Sequence, residues 1–166
     1  MGAAQKLPSL QTDPLLKDEL TESVIDIFKS AFDLDVRLVS FIKCNGYDLV
    51  GDVSGLVGMV QESIEGNLVI SFSLPVISRV FSKLYPSEFT TVTDDVRQGC
   101  AELANMIYGR LKVQLNGRGF DLKMCLPSVV TGPGHRVHQN PAEVTVLKFE
   151  FENKYSFEVV ISCHNR

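Results

Sequence analysis

The chain has 166 residues, of which 45% are apolar and 22% charged, and 16 basic against 20 acidic residues give a formal net charge of -4. This length and composition predict one soluble globular domain and exclude a disordered or fibrous protein. The basic residues form no long block that would follow the phosphates of nucleic acid, so we expect no nucleic-acid partner. No apolar run approaches the roughly 18 residues of a membrane span, and no signal peptide is evident near Met1, which predicts a cytoplasmic protein.

The N-terminal part of the chain predicts a flexible segment followed by a long helix. Residues 1–12 form the expected flexible N-terminus, and residues 13–166 the single domain. Asp13 followed by Pro14 is typical of a helix start, because aspartate caps free backbone N–H groups and proline fits the first turn. The apolar residues then recur at three- and four-residue spacing on one face, at Leu16, Leu20, Val24, Ile27, Phe28, Ala31 and Phe32.

From Val36 onward the apolar period shortens towards two, which indicates β-strands. We expect the last two of these strands to form a hairpin joined across residues 63–66. The predicted strands cover residues 36–43, 54–62 and 67–73.

Two more helices are predicted next. Pro75 opens a short helix that stops before Pro86 and has Leu84 on its apolar side. A capping signal at Thr93 then precedes the most regular helical pattern of the chain, over residues 95–116. The apolar stripe of this long helix consists of Val96, Cys100, Leu103, Ile107 and Leu111.

The C-terminal part predicts an alternating stretch over 120–127, a Gly/Pro-rich loop over 132–141, and a final hairpin. The strands of that hairpin cover 143–151 and 155–162. A helix followed by three strands thus occurs twice, which suggests an internal helix-plus-three-strand pseudo-repeat. The predicted fold class is α+β, with the helices packed on a mostly antiparallel sheet.

The residues that most often bind metals give no metal-site pattern. His135 and His138 form an H-x-x-H in the predicted loop, without a carboxylate at ligand spacing, so we interpret them as solvated loop residues. The cysteines show no C-x-x-C pair and are expected to be reduced thiols, most of them buried. The four cysteines are Cys44, Cys100, Cys125 and Cys163.

The long helix carries a second row of residues, turned away from its apolar stripe. Gln98, Glu102, Asn105 and Gly109 are spaced four, three and four residues apart, which places them on one face. Glycine inside a helix costs about 1 kcal/mol relative to alanine, so Gly109 indicates that a partner or a strand comes close there. From spacing alone, ordinary exposed polar residues are the alternative.

The same helix and the segment after it carry a family signature. It consists of AELANMIYG at residues 101–109, Leu115, Gly119 and LPSVVTG at residues 126–132. These residues resemble the CheX/CheC phosphatases of bacterial chemotaxis, and the order of elements is most similar to CheX. In that family a Glu-x-x-Asn pair on a helix precedes a proline, and Glu102, Asn105 and Pro127 stand at those places.

Two departures from the family pattern concern the surroundings of the pair. Gln98 stands where Ser or Asp is usual, and the gap between Asn105 and Pro127 is one residue shorter than usual. CheC-type members carry a second Glu-x-x-Asn on the first helix, whereas Glu22 is followed three residues later by Ile25. We therefore expect one site per chain, as in CheX.

The resemblance implies a phosphatase that acts on the aspartyl phosphate of a CheY-like receiver domain. Asn105 would orient the attacking water and Glu102 would pair with a lysine or arginine of the receiver, while Gln98 and Gly109 would contact the partner. Pro127 would be a structural part of the motif. The receiver would supply its own Mg²⁺, so no cofactor or metal is expected on this chain.

The resemblance also implies a homodimer, because CheX relatives pair or exchange sheet edges, and the apolar terminal hairpin is expected to give an unprotected edge. Two alternatives to the phosphatase remain. One is an adaptor that holds a receiver domain without hydrolysing its phosphate, which has no need for the amide of Asn105. The other is a dimeric structural or small-ligand domain.

Overall fold

The structure is a computed structural model that describes residues 9–165, without the side chains of residues 140–142 and 165. The described residues form three α-helices: α1 (Leu16–Phe32), α2 (Leu74–Phe81) and α3 (Asp94–Gly117). They also form five strands: β1 (Val36–Gln61), β2 (Ile64–Phe72), β3 (Lys123–Met124), β4 (Ser128–Phe151) and β5 (Tyr155–Asn165). Within this part of the chain, no helix combines the length and apolar character needed to cross a membrane.

All strand pairs are antiparallel, in the order β2-β5-β4-β1-β3, and β1 also pairs with β2. The four long strands therefore close on themselves, with residues 53–61 of β1 against β2 and residues 36–56 against β4. The α+β prediction with an antiparallel sheet is confirmed. The expected edge at the terminal hairpin is wrong, because β5 has β4 on one side and β2 on the other.

Both faces of the central strands are buried. Val159 and Ile161 of β5 face the helices and belong to the main core, whereas Val160 between them faces the opposite side. This explains why β5 is an uninterrupted apolar run rather than an alternating one. The second, smaller cluster consists of Leu49, Val69, Val144, Val146 and Val160.

The two strands predicted over 36–43 and 54–62 are one continuous strand, and the loop predicted over 132–141 is wrong. Residues 128–139 of β4 pair with residues 47–56 of β1, and a register shift interrupts this pairing between Gly51 and Val53. Gly132 and Gly134 have φ values of 146° and 61°, which glycine adopts readily. Both lie within β4, so they permit an irregular strand rather than form a loop. Because the strands predicted over 36–43 and 54–62 are one strand, the first half of the predicted pseudo-repeat has two strands after α1 instead of three. Three strands follow α3, as predicted for the second half.

Both predicted hairpins are confirmed, but the first one turns earlier than predicted. Gln61 lies opposite Ile64, so the turn is at residues 62–63 and Gly66 lies within β2. A Cβ at Gly66 would come within 2.1 Å of the Ser162 carbonyl oxygen, so this glycine permits close strand packing rather than a turn. The terminal hairpin turns between Phe151 and Tyr155, as predicted.

The ends of the first two helices differ from the prediction. Helix α1 begins at Leu16, although Asp13 Oδ1 still accepts a hydrogen bond from the backbone N–H of Leu15 at 2.9 Å. Of the predicted flexible segment, residues 1–8 lie outside the described part, while Leu10 and Gln11 are buried and pack with the domain. Helix α2 ends at Phe81, so Leu84 lies beyond it and is 58% exposed instead of packing in the core.

Candidate functional site on helix α3

Helix α3 begins and ends within one residue of its predicted bounds. The Thr93 hydroxyl accepts a hydrogen bond from the backbone N–H of Val96 at 3.3 Å, which satisfies one of the free donors of the first turn. Asp94 and Asp95 lie in that turn, where negative charge is favourable next to the helix N-terminus. Local chemistry thus fixes the start of the helix that carries the candidate residues.

Small residues let helix α3 pack closely on two neighbours. Gly55 and Ala104 lie at its contact with β1, and Gly99 lies at its contact with α2. A Cβ on Gly55 of β1 would lie 2.5 Å from the Cys100 carbonyl oxygen and 3.0 Å from Cβ of Ala104. A Cβ on Gly99 would lie 2.5 Å from the ring of Phe81. The small residues at 99 and 104 therefore have a packing role, since they let Phe81 and β1 approach α3 closely.

The predicted row lies on the outer side of α3, away from the sheet. Gln98 and Glu102 are exposed, and Asn105 and Gly109 are half-buried. Within the described part of the chain, neither Glu102 nor Asn105 has a hydrogen-bond or ion-pair partner. Both polar groups are therefore available to a binding partner.

Gly109 faces open space. A Cβ built on it would meet no atom within 4 Å, which excludes the alternative that a strand packs on this glycine. The cost of placing a glycine at position 109 of the helix has no explanation within the described residues.

The segment that leads to Pro127 is attached to α3. The Tyr108 hydroxyl donates a hydrogen bond to the Lys123 carbonyl oxygen at 2.8 Å, and burial raises the pKa of Tyr108, so the donor keeps its proton. The Asn116 amide exchanges hydrogen bonds with the backbone of Leu122 at 2.9 and 3.1 Å. Pro127 itself is half-buried and directly precedes β4. These contacts fix the motif's proline segment relative to the helix.

Ion pairs hold α3 against α1. Arg118, just beyond the end of α3, places Nη1 2.8 Å from Asp13 Oδ2 and Nη2 2.6 Å from Glu19 Oε2. The pKa of Arg118 is raised, first by its hydrogen bond to Glu19. About two turns before Arg118, Arg110 of α3 pairs with Asp26 of α1 at the surface. The position of the candidate site relative to the first helix therefore depends on these contacts.

The two histidines of the H-x-x-H have separate polar partners. His135 Nε2 lies 2.7 Å from Ser54 Oγ, and His138 Nδ1 lies 2.6 Å from Asp48 Oδ1. Both histidines lie on β4 rather than in a loop. Across the described residues, no three His, Cys, Asp or Glu side chains are grouped as metal ligands would be.

The four cysteines are free thiols, two of them buried and two half-buried. Burial raises the pKa of Cys100 to about 12 and that of Cys163 to about 11, so these thiols stay protonated. The structure agrees with the prediction of free thiols, but the expectation that most of them are buried is wrong, because only Cys100 and Cys163 are.

An apolar pocket next to Glu102 was not predicted from the sequence. Leu84 and Tyr85 line it together with residues of α1 and α3, and Glu102 is part of the same lining. The available signal was an apolar pair within the polar segment SKLYPSE, between a helix and a proline. The pattern of the short helix instead predicts Leu84 on its core side.

Comparison with known proteins gives one family and a set of similar folds. A family model described as chemotaxis phosphatase CheX matches residues 53–152, which include Glu102, Asn105 and Pro127. No curated protein matches the sequence significantly.

Several solved structures share the fold. A CheC-like superfamily protein from Shewanella sp. PV-4 is 23% identical, with a TM-score of 0.84 over 92% of this chain and 99% of that one. CheX from Vibrio vulnificus is 23% identical, with a TM-score of 0.81 over 90% and 99%. The CheX-CheY-BeF₃-Mg²⁺ complex from Borrelia burgdorferi contains a chain that is 18% identical, with a TM-score of 0.71 over 90% and 97%.

Proposed function

This protein belongs to the CheX family of chemotaxis phosphatases, and we propose that it hydrolyses the aspartyl phosphate of a CheY-type receiver domain. The observation that carries the proposal is the pair Glu102 and Asn105, which lies on the outer side of α3 without a polar partner among the described residues. The Borrelia burgdorferi relative, which forms a complex with CheY, supports the same class of partner. A receiver-domain partner agrees with the predicted cytoplasmic location.

In the proposed reaction, a water oxygen forms a bond to phosphorus while the bond from phosphorus to the aspartyl carboxylate oxygen breaks. Both water protons leave with the new phosphate, and the receiver keeps a free carboxylate. The side-chain amide of Asn105 can accept from and donate to water without changing its charge, which suits it to hold this water in line. The receiver's own Mg²⁺ balances the charge of the phosphoryl group, so this chain needs no metal or cofactor.

Glu102 has a different role in the proposal. Its exposed carboxylate lies one helical turn from Asn105 and would pair with a lysine or arginine of the receiver. Such a pair fixes the register between the two proteins, so that the water on Asn105 meets the phosphorus. Gln98 and Gly109, above and below the pair, would lie in the same contact surface.

The proposal is tested by mixing the purified protein with receiver domains from the same cell, phosphorylated with labelled phosphate. We expect the label to appear as inorganic phosphate faster than the receiver loses it alone, and only in the presence of Mg²⁺. If no receiver loses label faster with the protein than without it, the phosphatase assignment is wrong.

Gly109→Ala is expected to separate stability from activity. The added methyl group meets no atom in the free protein, so the free energy of unfolding should rise by about 0.5–1 kcal/mol. It would project into the proposed contact surface, where overpacking should raise KM for the phosphorylated receiver roughly fivefold or more. Unfolding in urea and the kinetics of label loss measure the two effects.

Gly117→Ala is the matched control for this prediction. It lies two turns further along α3, and its Cβ would likewise meet no atom within 4 Å. We expect unchanged kinetics for this variant. Unchanged kinetics for Gly109→Ala as well would place the receiver elsewhere on the helix.

We also propose a homodimer that uses a different edge from the one first expected. Residues 36–50 of β1 pair with β4 on one side only within the described part, and four large apolar side chains are exposed there. They are Val39, Phe41, Ile42 and Val50. Light scattering at micromolar concentration should give the mass of two chains, and Ile42→Lys should reduce it to one. A monomer at that concentration would refute the homodimer and leave the phosphatase proposal intact.

A further inference from the structure

A small apolar pocket opens next to Glu102, where the C-terminal end of α1 meets α3 and the segment after α2. Its volume is about 150 Å³. We call it the Met106 pocket. Six large apolar side chains of its lining are Phe32, Phe81, Leu84, Tyr85, Leu103 and Met106.

The walls of the Met106 pocket are held in place in the free protein. Gly99 lets the Phe81 ring lie directly against the backbone of α3, where any side chain would displace the ring. The ring of Tyr85 packs edge-on against Phe89, with 5.3 Å between the ring centroids. An occupant would therefore enter an existing pocket without having to order its walls.

One wall of the pocket is apolar surface exposed to solvent. Leu84 is 58% exposed, and Tyr85 beside it is also exposed. Exposed apolar groups around a concave surface are typical of a contact with another protein. A cavity of this volume accepts a group about the size of a benzene ring, which corresponds to one large apolar side chain.

The charges around the Met106 pocket indicate which kind of partner surface fits it. Glu102 lines the pocket, yet its carboxylate has no ion pair with any described residue. Two cations of the helices around the pocket are already engaged, since Lys29 of α1 lies 2.9 Å from Asp33 and Arg110 of α3 pairs with Asp26. The occupant that fits best is thus an apolar side chain with a cation beside it on the same partner surface.

We propose that the Met106 pocket receives one apolar side chain of the receiver domain whose phosphoryl group reaches Asn105, next to the cation that pairs with Glu102. This inference rests on the proposed function and adds a second anchor to it. Asn105 acts on the reacting atoms, whereas the Met106 pocket contributes to receiver affinity alone. Loss of the pocket should therefore change KM and leave kcat unchanged.

Two variants test the pocket from opposite directions. Leu84→Ser removes an exposed apolar wall, and Ala31→Leu fills the pocket from α1. Each should raise KM for the phosphorylated receiver roughly tenfold with an unchanged kcat, which corresponds to about 1.4 kcal/mol of binding free energy, because a few side chains anchored in pockets carry most of the affinity of an interface. Each should also weaken binding of a receiver loaded with BeF₃⁻ and Mg²⁺ by the same factor.

Leu15→Ser is the matched control, because Leu15 is also an exposed leucine and lies just before the opposite end of α1, about 24 Å away at 1.5 Å per residue. It should change neither KM nor binding. If both pocket variants keep the parental KM and binding while Asn105→Ala loses hydrolysis, the pocket inference is overturned and the phosphatase stands. If a receiver binds but its phosphate is not hydrolysed, weaker binding by the pocket variants still supports the pocket inference, and unchanged binding overturns it. If no receiver binds, both the pocket inference and the phosphatase proposal are wrong.

Discussion

Replacing Asn105 with alanine is expected to slow hydrolysis of the phosphorylated receiver roughly a hundredfold or more, which corresponds to about 3 kcal/mol of transition-state stabilisation. The amide is the group that would hold water in line with phosphorus, and Asn105 has no polar partner among residues 9–165 whose loss would disturb the fold. Binding of a receiver loaded with BeF₃⁻ and Mg²⁺ should persist. Label release and equilibrium binding measure the two quantities.

Glu102→Ala provides the contrast. It removes a charged contact with the partner, so receiver binding and turnover should both fall, and the loss should shrink at high salt because exposed charge pairs are screened. The two variants thus fail differently if the roles are assigned correctly. If Asn105→Ala hydrolyses a cognate receiver as fast as the parent protein, the amide does not orient water, and an adaptor that only holds the receiver becomes the better description.

The helix that carries this pair was predictable because its signals are local. The Thr93 cap and the 3.6-residue period of the buried stripe lie within the helix itself, and both ends were placed within one residue. The outward position of Glu102 and Asn105 follows from the same period. Their assignment as a pair came from the family signature, since spacing alone does not distinguish them from ordinary solvated residues.

The first half of β4 was not predictable, since this irregular part is stabilised by residues far away in sequence. Residues 128–139 contain glycines and a proline that locally favour a loop, yet they pair with residues 47–56 of β1. The register shifts between β1 and β4 likewise depend on both strands together. Local propensity does not report such pairing, so the sequence suggested two short strands and a loop.

The Met106 pocket was not predictable either, because its walls are also far apart in sequence. Its walls come from α1, α3 and the segment after α2, which meet only in the folded chain. A glycine within a helix does not by itself indicate what packs on it, and the structure places the Phe81 ring on Gly99. The small residues of α3 are therefore of two kinds. Gly99 and Ala104 are required by packing, whereas Gly109 faces open space.

Arg118→Met is expected to be the most destabilising single change among the charged residues discussed above. The Asp13 side chain is 1% exposed, and its Oδ2 lies 2.8 Å from Arg118 Nη1, without a well-directed hydrogen bond from any described residue. Removing the guanidinium leaves this carboxylate buried without its cation and frees Glu19 as well. We expect a loss of about 3 kcal/mol in the free energy of unfolding, at the low end for breaking a buried pair because Arg118 is 29% exposed.

Arg110→Met is the control, since it removes an arginine that joins the same two helices at the surface. Its side chain is 46% exposed and that of Asp26 is 47% exposed, so their pair should contribute less than about 1 kcal/mol. Denaturant unfolding of both variants gives the comparison, and Asp13→Asn combined with Arg118→Met should recover part of the loss, because no buried charge is left unpaired. If Arg118→Met costs no more than Arg110→Met, the buried contact with Asp13 does not stabilise the packing of α3 on α1, and the position of the Glu102 and Asn105 face must depend on the apolar core alone.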